Sequence, residues 1–130
     1  MIVGIGVDLV DVPRFVRSID RTPGLIDRLF AESERGRTPR SLAARFAAKE
    51  ALIKALGDSS GFRWHDMEVV SDSDGKPSFR FGGRVAETLL RRGVEQVHLS
   101  LSHDGDSACA FVVAEGSGGA SSNEPDTGAS

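Results

Sequence analysis

Arg45-Phe46-Ala47-Ala48-Lys49-Glu50-Ala51-Leu52-Ile53-Lys54-Ala55-Leu56 reads as a helix along its whole length. Nearly every residue is a strong helix former, no glycine or proline interrupts the run, and Gly57 stops it. Phe46, Ile53 and Leu56, with Ala47 and Ala55, recur at helical spacing, which predicts one side packed on a core. Glu50 and Lys54 are four apart and lie one above the other on the helix surface, as do Arg45 and Lys49. Taken alone, Glu50 and Lys54 make an ordinary ion pair. The helix is expected to start near Arg40 or Ser41, with Ser41 as its N-cap.

Upstream, Met1 to Asp8 reads as a strand whose apolar residues are Ile2, Val3, Ile5 and Val7. Gly4 and Gly6 weaken it and predict the close approach of another backbone or of a ligand. Asp8 falls at its end. Pro13 suits the first turn of a helix over 13–20, with Phe15, Val16 and Ile19 on one side and Arg14, Arg17 and Arg21 on the other. Pro23-Gly24 breaks the chain before a short helical turn over 25–30, and the polar segment 32–40 reads as a loop.

Downstream, 67–71 and 77–81 form a hairpin around the turn Asp72-Ser73-Asp74-Gly75. A helix follows Gly82-Gly83 and stops at Gly93. Val97, Leu99 and Leu101 alternate with polar residues, and 107–114 runs back after a turn at His103-Asp104-Gly105-Asp106. From Gly116 onward no large apolar residue occurs, so 116–130 reads as a disordered tail on a single domain spanning 1–115.

The chain has 130 residues, 39% hydrophobic and 27% charged, the make-up of a folded domain with its own core. A net charge of −3 excludes a protein-wide basic field for nucleic acid, although the segment from Arg14 to Arg45 is rich in arginine. One cysteine, Cys109, excludes an internal disulfide and a cysteine-built zinc site. No apolar run approaches the roughly 20 residues that span a bilayer, and no secretory signal opens the chain, so a cytoplasmic protein is expected. Asp8 and Glu50 come from different elements and would have to converge to share a divalent cation. The residues by themselves leave open a Mg²⁺-dependent phosphodiesterase and a docking module whose arginine-bearing helix meets acidic partners.

Three segments in register carry a more specific signal: Gly4-Ile5-Gly6-Val7-Asp8-Leu9 with Arg14 downstream, Arg45 to Ala51 with Lys54-Ala55, and Leu99-Ser100-Leu101-Ser102-His103. Together with Asp74-Gly75-Lys76-Pro77, they resemble the holo-acyl carrier protein synthases, the small single-domain 4′-phosphopantetheinyl transferases. The resemblance implies an α+β fold, an antiparallel sheet with packed helices, assembling as a homotrimer with active sites between subunits. It implies an enzyme that moves the phosphopantetheine arm of coenzyme A onto a serine of apo-acyl carrier protein with Mg²⁺, releasing adenosine 3′,5′-bisphosphate.

By position in the motifs, Asp8 and Glu50 match the metal carboxylates, and Glu50 and Lys54 the catalytic pair. Arg45, Lys49, Ser102 and His103 match coenzyme A contacts. Arg14 matches a residue that meets the acidic helix of the carrier protein, and Arg21 and Arg28 are similar in role. Two stretches depart from the family's pattern, a short 57–62 connection bearing Asp58 and the loop 32–40. Both departures predict weaker coenzyme A binding than is usual in the family.

Overall fold

The helix at the centre of the sequence is also the centre of the fold. In the computed structural model, which describes residues 1–117, α3 (Pro39–Leu56) lies across a three-stranded antiparallel sheet. The sheet has the order β1 (Ile2–Asp11), β5 (Ser107–Gly116), β4 (Val94–Asp104). Between β1 and α3 come α1 (Val12–Arg21), α2 (Leu25–Leu29) and a 3₁₀ turn, Glu32–Glu34. After α3, a second 3₁₀ turn (Trp64–Asp66) leads to a separate hairpin of β2 (Met67–Ser71) and β3 (Pro77–Phe81), then α4 (Gly83–Arg91).

α3 begins earlier than its sequence suggests. Thr38, not Ser41, is the N-cap: its hydroxyl accepts from the Ser41 N–H at 3.2 Å, and Pro39 sits in the first turn where its missing N–H costs nothing. Gly57 ends the helix in the left-handed region at φ 77°, as expected. The helix buries Ala44, Ala47, Ala48, Ala51 and Ala55 together with Leu42, Leu52 and Leu56. A helix this rich in alanine presents a shallow face, and β1 exploits it. A Cβ built on Gly4 would stand 1.9 Å from the Ala55 carbonyl oxygen, and one on Gly6 1.9 Å from that of Ala51. The neighbour expected of these glycines is therefore the backbone of α3.

Alternation then sorts the strand residues. Gly6 and Val10 of β1 are buried with Ala108, Ala110, Val112 and Ala114 of β5, while Ile5, Val7 and Leu9 point outward. β1 is longer than expected and runs through Asp11, whose carboxylate caps α1 by accepting from the Arg14 N–H at 3.0 Å. The Val12 N–H donates to Asp106 of the β4–β5 turn at 2.8 Å, which docks α1 on the sheet. β4 and β5 also exceed the expected strands. Gly116 exchanges hydrogen bonds with Met1 at 2.9 and 3.0 Å, so the ordered domain passes residue 115. The expected tail lies, from residue 118, outside the described residues.

The 72–75 turn forms as its sequence suggests. The Asp72 carboxylate accepts from the N–H groups of Asp74 and Lys76 at 2.8 and 2.9 Å. No helix among the described residues is long and apolar enough to cross a membrane.

Candidate functional site

Asp8 sits on the inward-facing side of β1, two residues beyond Gly6, and so reaches the face of α3 that carries Glu50 and Lys54. Lys54 Nζ lies 2.9 Å from Asp8 Oδ1 and 3.2 Å from the Val7 carbonyl oxygen. The helix lysine thus bonds across to the strand rather than along the helix to Glu50. That hydrogen bond, followed by the charge of Asp8, holds the lysine above its ordinary value.

Asp8 and Glu50 line one pocket of about 540 Å³. Burial, then the Asp8 carboxylate, push the Glu50 carboxyl above its ordinary value, with Lys54 acting in the opposite sense. Two carboxylates and one ammonium leave a net negative charge, which favours a cation. The described residues contain no cluster of three or more His, Cys, Asp or Glu suited to a metal. Two carboxylates with room beside them fit Mg²⁺, which keeps several waters and takes its remaining oxygens from phosphates.

The rest of this pocket is lined by aromatic, aliphatic and basic residues, with Asp11 and Ser18 among them. Phe46 stacks on Phe15 with ring centroids 5.6 Å apart and meets Trp64 at 5.7 Å. Arg14 and Arg28 also line it. Arg21 is exposed in the last turn of α1, outside the lining.

A second pocket of about 330 Å³ shares no residue with the first. Arg37, Arg40, Arg45 and His103 line it, together with Thr38 and Ser41 from the first turn of α3. Three guanidinium groups beside a helix N-terminus make an anion site. Burial, then the charge of Arg37, lower the Arg45 value, while Glu34 raises it. Arg45 and Glu50 are five apart, so their side chains leave α3 in different directions and serve different pockets.

Two expected coenzyme contacts are placed elsewhere. Lys49 is fully buried and bonds to Glu34 Oε1 at 2.8 Å, the Leu29 carbonyl at 2.7 Å and the Trp64 carbonyl at 3.2 Å. It ties α3 to its neighbours and has no surface to offer a phosphate. Ser102 pairs with Cys109 on the outer face of the sheet, whereas His103 pairs with the buried Ala108 and lines the basic pocket. His103 belongs to β4 rather than to the turn, so consecutive residues 102 and 103 point to opposite faces. Arg37 and Arg40 were not among the expected site residues. Their only sequence signal is two arginines flanking the Thr38-Pro39 helix start.

His65 and His98 have protein partners. His65 Nε2 lies 2.6 Å from the Asp27 carbonyl oxygen, and His98 pairs with Glu115 at 2.8 Å.

The chain as a whole is similar to known proteins. Residues 4–112 match the model of the 4′-phosphopantetheinyl transferase superfamily. A holo-(acyl-carrier-protein) synthase from Clavibacter sepedonicus is 64% identical over 118 residues, covering 91% of this chain and 99% of that protein. The crystal structure of such a synthase from Neisseria meningitidis superposes with a TM-score of 0.79 at 36% identity, covering 88% of this chain and 99% of the other. One from Bacillus anthracis, solved in complex with CoA (3′,5′-ADP), gives 0.74 at 35% identity, covering 90% and 99%. Fold, motif order and full-length similarity agree: the chain belongs to the 4′-phosphopantetheinyl transferase superfamily.

Proposed function

We propose that this protein transfers the 4′-phosphopantetheine arm of coenzyme A to a serine of an apo-acyl carrier protein. The observation that carries the reading is the Asp8–Glu50–Lys54 constellation, which opens into a pocket rimmed by arginine. The seryl oxygen attacks the β-phosphorus, the bridging P–O bond breaks, and adenosine 3′,5′-bisphosphate leaves. Mg²⁺ held by Asp8 and Glu50 would supply neutralisation of the pyrophosphate charge. Lys54, held beside Asp8, adds a fixed positive charge for the phosphates. Glu50, half-buried at the pocket wall, is placed to take the serine proton. The basic pocket with Arg45 and His103 takes the phosphates at the nucleotide end.

The decisive experiment is the intact mass of a purified apo-acyl carrier protein incubated with this protein, coenzyme A and Mg²⁺. Gain of one phosphopantetheine, abolished by EDTA, supports the reading. Absence of any gain with several carrier proteins, together with no coenzyme A binding, removes it.

Arg14 and Arg28 at the pocket mouth, with Arg21 beyond them, form the surface for the acidic helix of the carrier protein. Arg14→Ala should raise the KM for carrier protein about two- to fivefold, the range of a solvent-screened ion pair. The effect should shrink with added salt, and kcat should change less than KM. An equal fall of kcat and kcat/KM would contradict a docking role.

The assembly we infer is a homotrimer. Ile5, Val7 and Leu9 of β1 and Phe111 of β5 are 48–67% exposed on one face of the sheet, an apolar area supplied by these two strands. The two pockets of one chain are separate, so packing that face between copies offers a way to set the carboxylates of one subunit beside the basic pocket of the next. Val7→Asp should yield monomers by light scattering and lose transfer. A monomeric wild-type protein with full activity would exclude the shared site.

A further inference from the structure

Glu34 lies in the polar segment before α3, yet it is fully buried. Its Oε1 accepts from the Ala31 N–H and from Lys49 Nζ, both at 2.8 Å. Oε2 accepts from the Val69 N–H at 2.9 Å and lies 3.7 Å from Arg45 Nη1. That same Nη1 donates to the Val69 carbonyl oxygen. One carboxylate thus joins three segments: the 3₁₀ turn, β2 and α3.

The charge count is uneven, with one anion between two buried cations. Lys49 is used up by Glu34 and two carbonyls, and it also stands 5.1 Å from the Phe30 ring centroid. Arg45 is different: only 4% exposed, it borders the basic pocket. The surplus positive charge therefore stands at the pocket wall. Both its contacts to Glu34 and Val69 use Nη1, which leaves the remaining N–H groups of the guanidinium for an anion. An arginine side chain has many rotamers, and one fixed in advance loses less on binding.

We propose that Glu34 is a positioning residue, which through Arg45 shapes the basic pocket into the subsite for a phosphate of coenzyme A. The inference rests on the transferase reading of that pocket. Glu34 touches no substrate; it acts by holding the guanidinium that does.

The test is a double-mutant cycle between Glu34→Gln and Arg45→Ala, reading KM for coenzyme A and kcat separately in the full-length protein. Each single change should raise KM roughly tenfold, within the range of directly coupled pairs, and more than it lowers kcat. In the Arg45→Ala background, Glu34→Gln should add nothing further to KM. Because Glu34→Gln leaves two buried cations unbalanced, it can fail to fold. Glu34→Gln/Lys49→Met, which removes one charge of each sign, then takes its place and is compared with Lys49→Met.

A Glu34 effect that multiplies that of Arg45→Ala would overturn the proposal. So would an unchanged KM with kcat falling in step with the folded fraction. If Arg45→Ala raises KM and the Glu34 changes do not, only the positioning role is refuted. If Arg45→Ala leaves KM unchanged, the nucleotide assignment of the pocket fails and the proposal falls with it.

Discussion

Glu50→Gln is expected to lower phosphopantetheine transfer roughly 10²- to 10⁴-fold, the span associated with losing a positioned acid–base group, without lowering thermal stability. Burial and the adjacent Asp8 both disfavour the Glu50 charge in the folded protein. Replacing it with a neutral amide of the same shape removes a repulsion, whereas the Asp8–Lys54 bond at 2.9 Å is untouched. In EDTA the variant should therefore melt at the wild-type temperature or above it. A site that stabilises charge for chemistry at some cost to the fold behaves in this way.

Asp8→Asn should show a comparable loss of transfer but no gain in stability, because it weakens the bond to Lys54. Mass spectrometry of the carrier protein over time gives the rates, and thermal unfolding in EDTA gives the second readout. Transfer by Glu50→Gln within a few-fold of wild type would remove Glu50 from the chemistry. A lower melting temperature would mean that its charge contributes to the fold rather than opposing it.

Gly6→Ala should be the most damaging substitution of a single methyl group. The added carbon would stand 1.9 Å from the Ala51 carbonyl oxygen and 2.8 Å from the Ala55 nitrogen. Both are backbone atoms inside α3, so no side-chain rotation relieves the clash and strand and helix must separate. The stability cost should reach or exceed the upper end of the about 1–3 kcal/mol typical of overpacking. Asp8 follows two residues later on the same side of β1, so the separation also opens its contact with Lys54.

For that reason transfer should fall further than the folded fraction does, on the order of 10²-fold for a displacement near 1 Å. Urea unfolding and transfer rates measured well below the melting temperature separate the two effects. A Gly6→Ala protein with wild-type stability and rate would mean that β1 does not need this close approach.

What the residues revealed on their own was local. Alanine, glutamate and lysine between Thr38 and Gly57 favour helix whatever surrounds them, and the alternation from Val97 to Leu101 favours strand. Gly4 and Gly6 announced a close neighbour, because a strand otherwise gains from side chains. The order and spacing of the three motifs were enough to suggest the family. Even the separation of Ser102 from His103 was legible in principle, since adjacent strand residues face opposite ways; reading His103 as part of a turn concealed it.

The fate of the charges was not legible. Lys49 and Lys54 are the same residue on the same helix, yet one is fully buried and the other half-exposed beside Asp8. The difference comes from Glu34, fifteen positions before Lys49 in a segment that reads as a polar loop, and from a strand more than forty residues before Lys54. A helical i,i+4 ion pair contributes only about 0.2–0.5 kcal/mol, too little to hold Lys54 to Glu50 once β1 offers a carboxylate and a carbonyl. Local propensity set the elements; the long-range pairing of charges, decided only when the elements packed, set which side chains were free to act.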